Sequence, residues 1–538
     1  MFQLPRSSTR SWALLTAMVL AIVPPARAAD KGMLRSALDS VRTSDLRRHA
    51  FALADDTFEG REAGSRGGRA AAGYLRDEMK RYGLRPAGDG GGYDQQFDNG
   101  YRNLLGIVPG DDPQLSDQIV VVAAHFDHVG YGTQRNSYGP VGHIHNGADD
   151  NASGTAGLLE LAEAIGRQQP PPRRSVLFAL WDGEEKGLLG SKHWVAQPTL
   201  PLDRVVLMIN LDMIGRLRDN RVELYGTRSG HGLRRLVSSA NSVNLQLDFT
   251  WEMKDNSDHY SFFERGVPVL MAHTGLHDDY HRPSDDPEKL NLDGMTDITR
   301  FLVELIYAVA DAPELPEFRD SSRSEAPRHR AELEAALPPL PSRLGVRWDH
   351  ELAEEKGDVW ITGVESGSPA ERGGFLAGDR VVSFGDVAIT AGAPFAPVVL
   401  ASPSSVDVVV ERGGAMVPLH VDLNGDPLYL GLSWRPDEAE PGTVVVKRVV
   451  PGSPAARAGF QLDDRIYQVG GRDFADNNEL IELVRVAASP YRMQVERSGQ
   501  LLELTVEMPP RIPQGAATAP RDTSRSESSG GAVSIGAE

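Results

Sequence analysis

Five stretches of this chain carry side chains that could do chemistry together. They are "HFDH" with His125 and Asp127, "HNGADDNASG" with Asp149 and Asp150, "WDGEEKGLLGS" with Glu184 and Glu185, "INLDMIG" with Asp212, and "GLHDDYHRPSDDPEKLN" with Tyr280 and His281. Singly, each has an ordinary reading: Asp149, Asp150 and Asn151 as helix caps, Asp212 as a turn residue, the paired glutamates as a solvated loop. Together they supply two imidazoles and at least three carboxylates. That donor set suits a pair of borderline divalent ions such as zinc, each taking roughly four or five ligands with one carboxylate bridging. Two such ions polarise a carbonyl and activate water. The water still needs a proton acceptor, and adjacent glutamates on a loop point in different directions, so one can bind metal while its neighbour acts as general base. The chain has no cysteine, which leaves His, Asp and Glu as ligands and excludes disulfides and a thiol nucleophile.

The elements that must position these groups are short, almost continuously apolar runs: "QIVVVAAH", "RSVLFALWD", "RVVLMINLD" and "GVPVLMAH". Such runs suit strands of a sheet buried on both faces. Between them, "SGTAGLLELAEAIGRQ" and "DGMTDITRFLVELIYAVAD" read as helices, with Ser153 and Asp293 as caps. The expected fold is α/β, a mixed, largely parallel sheet with helices on both faces, spanning residues 29–312. All the chemical groups fall at or beyond the carboxyl ends of strands, where open α/β sheets place their ligands.

The remainder divides further. Residues 313–340 turn charged and proline-bearing and read as a linker. Beyond it, "GVESGSPAERGGFLAGDRVVSFGD" and "RVVPGSPAARAGFQLDDRIYQVGG" are copies of one small, mainly-β domain, expected at 341–424 and 427–509. The tail, 510–538, is small, polar and Pro/Gly-rich and is expected to be disordered. At the other end, Arg6 and Arg10 precede "WALLTAMVLAIV" and a small-x-small pattern ending at Ala28, which reads as a cleaved secretory signal over 1–28. Export to the periplasm or the medium is the expectation, with no membrane span after cleavage. At 538 residues with 56 Lys+Arg against 75 Asp+Glu, net charge -19, and no long basic run, nucleic acid is excluded as a partner. No G-x-S-x-G occurs, which removes the serine-hydrolase reading.

The motifs "HFDH", "GADDNASG", "WDGEEKGLLGS", "NLDMIG", "SDHYSFF" and "YHRPSDDPEKLN" occur in the order and approximate spacing of the M-twenty-eight peptidase family of zinc exopeptidases, which the first half of the chain resembles. The resemblance implies two zinc ions: His125 and Asp212 on one, Glu185 and His281 on the other, and Asp150 bridging. It implies Glu184 as general base, Asp127 as the carboxylate that orients His125, and Tyr280 as a donor to the oxyanion. Asp258 and His259 would shape the pocket, and Asp285 would buttress the His281 loop. His128, His143, His145, His273 and His277 are left with ordinary packing or surface roles. Peptides are the implied substrates, cut as an aminopeptidase in the branch the motifs resemble most, or else as a carboxypeptidase using Arg216 or Arg282. The two C-terminal copies resemble PDZ domains, whose carboxylate-receiving loops would be Leu344, Gly345 and Val346 and Leu430, Gly431 and Leu432. Peptide or protein C-termini are the partners so implied; the alternative is a PDZ scaffold with an inactive peptidase-like domain.

Overall fold

The computed structural model describes residues 31–98, 100–390 and 395–508; the expected signal segment and tail lie outside them. Among the described residues, nine strands form the first sheet: β1 (Arg85–Pro86), β2 (Asp94–Phe97), β3 (Tyr101–Val108), β4 (Ile119–His125), β5 (Ser175–Trp181), β6 (Val205–Leu211), β7 (Arg221–Tyr225), β8 (Gln246–Phe249) and β9 (Val269–His273). Their order is β1-β3-β5-β4-β6-β9-β7-β8, with β2 beside β3. The centre, β5-β4-β6-β9, is parallel; β3 against β5 and β7 against β9 are antiparallel. The parallel centre follows from sequence, since every residue of β4 and β5 is buried and neither face can be given to water.

Alternation along the strands decides what each face packs against. Val120, Val122, Ala124, Phe178 and Leu180 face a core shared with α1 (Lys31–Ser40), α2 (Thr43–Leu53), α3 (Arg66–Arg81), α4 (Gly154–Gly166) and α8 (Leu292–Asp311). Val121, Ala123, Leu177 and Trp181 face the other way, against Trp194 of α5 (Leu189–Ala196) and Phe262 of α7 (His259–Phe263). Each fully buried aliphatic or aromatic side chain contributes about 1.5–3 kcal/mol, so both layers are needed. The caps differ from expectation: Asn291, not Asp293, accepts the Gly294 amide at the start of α8, and the Ser153 hydroxyl donates to Asp149 instead of capping α4.

Two further sheets follow. One is built from β10 (Val346–Trp348), β11 (Val359–Val364), β12 (Arg380–Phe384), β13 (Val387–Ala388), β14 (Ser405–Arg412) and β15 (Ala415–Asp422). The other holds β16 (Leu432–Pro436), β17 (Val444–Val449), β18 (Arg465–Val469), β19 (Tyr491–Arg497) and β20 (Gln500–Val506). The repeated "GSPA" is a helix start, with Ser368 and Ser453 accepting from the amides of Glu371 and Ala456 and proline in the first turn. The repeated glycine is equally specific. Gly345 (φ +79°) and Gly431 (φ +78°) lie so close to those serines that a Cβ would come within 2.3 and 2.2 Å of the serine Cβ.

The expected linker holds a short α-helix, Pro327–Glu334, and is tied down at several points. Arg319 N–H donates to Ser229 O at 2.8 Å, Phe318 packs on Phe263, and Glu325 pairs with Arg228, so this stretch belongs to the first domain. Further on, Leu337 N–H donates to Lys447 O of β17. The last domain then docks on the edge of the nine-stranded sheet. Leu247 N–H of β8 donates to Ser498 O at 2.9 Å, and Arg234 of α6 (Leu233–Ser239) forms a bidentate pair with Glu496 at 2.8 and 3.0 Å. Arg228 pairs with Asp437 at 2.9 and 3.0 Å. Covering β8 removes an open strand edge that would otherwise invite another chain.

The two small domains differ in what they leave open. A cavity of about 880 Å³ lies against Leu344, Gly345, Val346, Trp348, Phe395 and Val399 of the first, closed on its far side by 336–341 and 447–451. In the second, Leu430, Leu432 and Trp434 are 0 %, 2 % and 2 % exposed, and Trp434 Nε1 donates to Asn477 across the groove between strand and helix. The side chains of Leu430 and Leu432 thus belong to the core of the second domain, as Leu344, 3 % exposed, belongs to that of the first.

Candidate metal centre

Because β4, β5, β6 and β9 run parallel, their carboxyl ends share one rim, and the five motifs meet there. His125 ends β4, Glu184 and Glu185 follow β5, Asp212 follows β6, and the loop after β9 returns His281. Asp150 comes from the irregular turn between Ala148 and Ser153. Its neighbours explain its placement. Asn151 Nδ2 donates to Leu211 O while its Oδ1 accepts from Gly154 and Met213, and Asp149 Oδ1 accepts from Gly215 and Ser153. Asp149, Asn151 and Ser153 thus tie the turn to the end of β6, leaving Asp150 to face the rim. Asp285 holds the same turn from the other side: its Oδ2 accepts from the amides of Asp149 and Asp150 at 2.9 and 3.1 Å, and its Oδ1 from Arg216 at 2.9 Å.

Two donor groups result, sharing Asp150. His125 Nε2 lies 3.5 Å from Asp150 Oδ1 and 3.5 Å from Asp212 Oδ1. His281 Nε2 lies 3.1 Å from Asp150 Oδ2 and 3.1 Å from Glu185 Oε2. Each group could hold a metal ion, its donor atoms lying within 4.8 Å of one another. The chemistry of the donors supports that fit: His281 Nε2 lies buried 3.1 Å from two carboxylates, which draw positive charge to that point, as a proton on the imidazole or as a cation between them.

Glu184 stands outside both groups. Gly183 and Gly187, at φ +74° and +102°, flank a tight turn from Glu184 to Lys186 that sends the adjacent carboxylates apart. The Glu184 amide donates to Asp127 Oδ1 at 3.0 Å. Burial pushes the Glu184 carboxyl well above its usual range; His125 opposes this, and Glu185, Asp258 and Asp212 add to it. Tyr280 stacks on His281 with ring centroids 4.0 Å apart, and burial raises its phenol, so the hydroxyl keeps its proton.

Asp127 reaches His125 through two groups. Its carboxylate is 3.8 Å from His125 Nδ1, whereas its backbone carbonyl is at 3.2 Å, so the carbonyl fixes the imidazole and the carboxylate anchors the Glu184 turn. Asp258 is buried with neither oxygen hydrogen-bonded, and burial pushes it up to about 7.

Two residues escaped the sequence reading. Arg61 is completely buried and donates to the carbonyls of Leu53, Phe126, Asn146 and Gly147, clamping the His125 and Asp150 loops together. His128, given only an ordinary role, sits with Nδ1 2.8 Å from Glu185 Oε1. The other flagged imidazoles stay apart from the donor groups: His145 bonds Ser137, and His277 lies 3.2 Å from Asp149 Oδ2. The loop from Tyr131 to His145 reaches the rim, where the Tyr138 N–H donates to His281 O and Arg282 donates to Tyr138 O.

With this geometry in view, comparison with known proteins is direct. Residues 103–306 match Peptidase family M28, and residues 360–412 and 445–497 each match the PDZ domain. The chain carries a peptidase domain of that family followed by two PDZ domains. Among relatives, the aminopeptidase YwaD of Bacillus subtilis (strain 168) is 26% identical over 225 residues, 40% of this chain and 46% of that one. A probable leucine aminopeptidase of Trichophyton verrucosum (strain HKI 0517) is 25% identical over 305 residues, 52% and 78% of the two chains. The match to YwaD thus spans about half of that relative's length. Among solved structures, the LapA aminopeptidase of Legionella pneumophila aligns at 20% identity over 53% of this chain and 76% of that one, with a TM-score of 0.43.

Proposed function

We propose that this chain is an exported metallo-aminopeptidase that holds two zinc ions in its catalytic domain and removes N-terminal residues from peptides. The observation that carries this reading is the split presentation of Asp150, one oxygen toward each donor group, with Glu184 free beside them. Bound there, a pair of divalent ions would supply Lewis acidity and bring the pKa of water toward neutrality. Glu184 takes the proton of the attacking water and returns it to the leaving amine. The backbone carbonyl of Asp127 holds His125 in one tautomer, and the Tyr280 phenol offers its proton to the developing oxyanion.

Two observations favour the amino end of the substrate. A terminal carboxylate needs a free cation, but Arg216 is engaged by Asp279 and Asp285, and Arg282 by the carbonyls of Tyr138 and Gly139. A free ammonium instead finds the carboxylates of Glu184 and Asp212. The scaffold alternative fits less well, because none of the five donor positions is substituted. The test is metal content together with hydrolysis of free and N-acetylated aminoacyl amides. Two zinc ions with cleavage of free amines only is expected; cleavage of N-blocked substrates with a free carboxylate would move the chain to the carboxypeptidase branch, and no metal would revive the scaffold. Export rests on the stretch at 1–28, so the mature chain should start at Ala29 by intact mass; an unprocessed cytoplasmic product would refute it.

The first PDZ copy, with its open cavity, is the one suited to hold a peptide, and tethering there would raise the local concentration of a substrate's free N-terminus. Removing both copies is a poor test, because the second covers the edge strand β8. Val346→Arg, which fills the cavity from a half-buried strand position, should lower kcat/KM for long peptides and leave aminoacyl amides unaffected. Equal efficiency on both substrate classes before and after the change would exclude tethering.

A further inference from the structure

The two donor groups are unequal. The group around His125 offers one imidazole and two carboxylates, from Asp150 and Asp212; the group around His281 contains a second imidazole, His128, beside Asp150 and Glu185. Building on the metal reading above, we propose that His128 is itself a ligand, a fourth protein donor acting through Nδ1 on the ion held by Asp150, Glu185 and His281.

The ring is aimed and held. Its side chain is 0% exposed, and Nδ1 lies 2.8 Å from Glu185 Oε1 and 3.7 Å from Asp150 Oδ2. Those are the same two carboxylates that His281 Nε2 meets, and the two rings approach edge-on with centroids 5.6 Å apart. The backbone leaves His128 little freedom: its amide donates to Arg61 O at 3.3 Å, and it forms a parallel bridge with Glu62. On the other side Gly147, at φ +51°, makes room for the ring, since a Cβ there would come 2.4 Å from His128 Cδ2. Nε2 is buried without a hydrogen-bond partner among the described residues, so the Nδ1 hydrogen bond to Glu185 is the one the ring makes with its nitrogens there.

Four protein donors, two nitrogen and two oxygen, close a tetrahedral zinc site, while three leave a position open. The two ions then have different work. The site closed by His128 and His281 retains its ion, and the site of His125, Asp150 and Asp212 keeps the vacancy that substrate or water needs. Loading follows the same order, with the closed site filling first and emptying last.

The experiment uses the full chain with zinc as the probe. Zinc retained per chain is measured across a graded series of chelator concentrations for the wild type, His128→Ala and His128→Asn, with zinc-edge X-ray absorption counting imidazoles on the loaded proteins. The wild type should lose its ions in two separated steps, with three imidazoles shared by two ions. His128→Ala should weaken the last-lost ion by at least about 10–100-fold, merge the steps and remove one imidazole from the count. His128→Asn keeps an N–H that can reach Glu185 and tests the competing role: if it restores wild-type retention, His128 only positions Glu185 and the proposal is wrong. It is equally wrong if the wild type shows two imidazoles for two ions. A wild type that binds no zinc would overturn the metallopeptidase reading as well, whereas two ions indifferent to His128 would overturn this inference alone. Circular dichroism of each chelated variant separates loss of the site from loss of the fold.

Discussion

Glu184→Gln should keep the full complement of metal and lose about 10²–10⁴-fold in kcat, the range for removing a positioned general base. The substitution preserves side-chain size and the amide that anchors the turn through Asp127 Oδ1, and removes only the capacity to accept a proton. Its neighbour behaves oppositely. Both oxygens of Glu185 face imidazoles, Oε1 toward His128 at 2.8 Å and Oε2 toward His281 at 3.1 Å, so Glu185→Gln should lower metal retention before it affects chemistry. Metal analysis and steady-state kinetics on the same preparations decide the matter. Retained turnover in Glu184→Gln would remove it as the base, and metal loss there would make it a ligand. The contrast between adjacent residues is the sharpest consequence of the Gly183–Gly187 turn.

That those glutamates point apart was legible in sequence because its cause is local: two adjacent carboxylates in a loop after an apolar strand, with glycines on either side. The same holds for the parallel centre of the sheet, where runs such as "IVVVAAH" admit no wet face. What escaped depends on contacts remote in sequence. His128 meets a glutamate 57 residues away, and nothing between the two predicts it. Arg61 binds carbonyls 65, 85 and 86 residues later, and a backbone acceptor leaves no mark on the identity of the residue that carries it. Its only local sign is the glycine-flanked setting "EGREAGSRG". The contacts of the linker were hidden for a related reason. Its charges and prolines resemble those of a solvated tether, but Arg319 and Glu325 have partners on the first domain. The cavity beside the first PDZ copy was invisible because "LGV" and "LGL" look alike in sequence and the cavity is closed in part by 447–451, remote in sequence from that copy's strand.

Arg61→Met should destabilise the catalytic domain by about 3–5 kcal/mol, the scale for breaking a buried charged contact, and lower its melting temperature by on the order of 10 °C. Four backbone carbonyls, at 2.7 to 2.9 Å from the guanidinium, would lose their donor at once. Burial pulls the Arg61 pKa down to about 10, against the opposing pull of Asp150, Asp127, Asp285 and Glu185, so it remains a cation at neutral pH. That charge attracts the carboxylates of Asp150, Asp127, Asp285 and Glu185 without touching them. The loss should therefore be greater in chelated protein than in zinc-loaded protein, where bound ions supply positive charge to the same carboxylates and stabilise the folded state by linkage. Arg61→Lys keeps the charge but not the planar fork, and should recover only part of the stability. Thermal unfolding of the three proteins, each with and without zinc, provides the measurement. Melting within about 1 °C of wild type in the chelated Arg61→Met protein would show that the clamp is dispensable, and an equal loss in both states would show that Arg61 acts on the loops alone and not on the charge they carry.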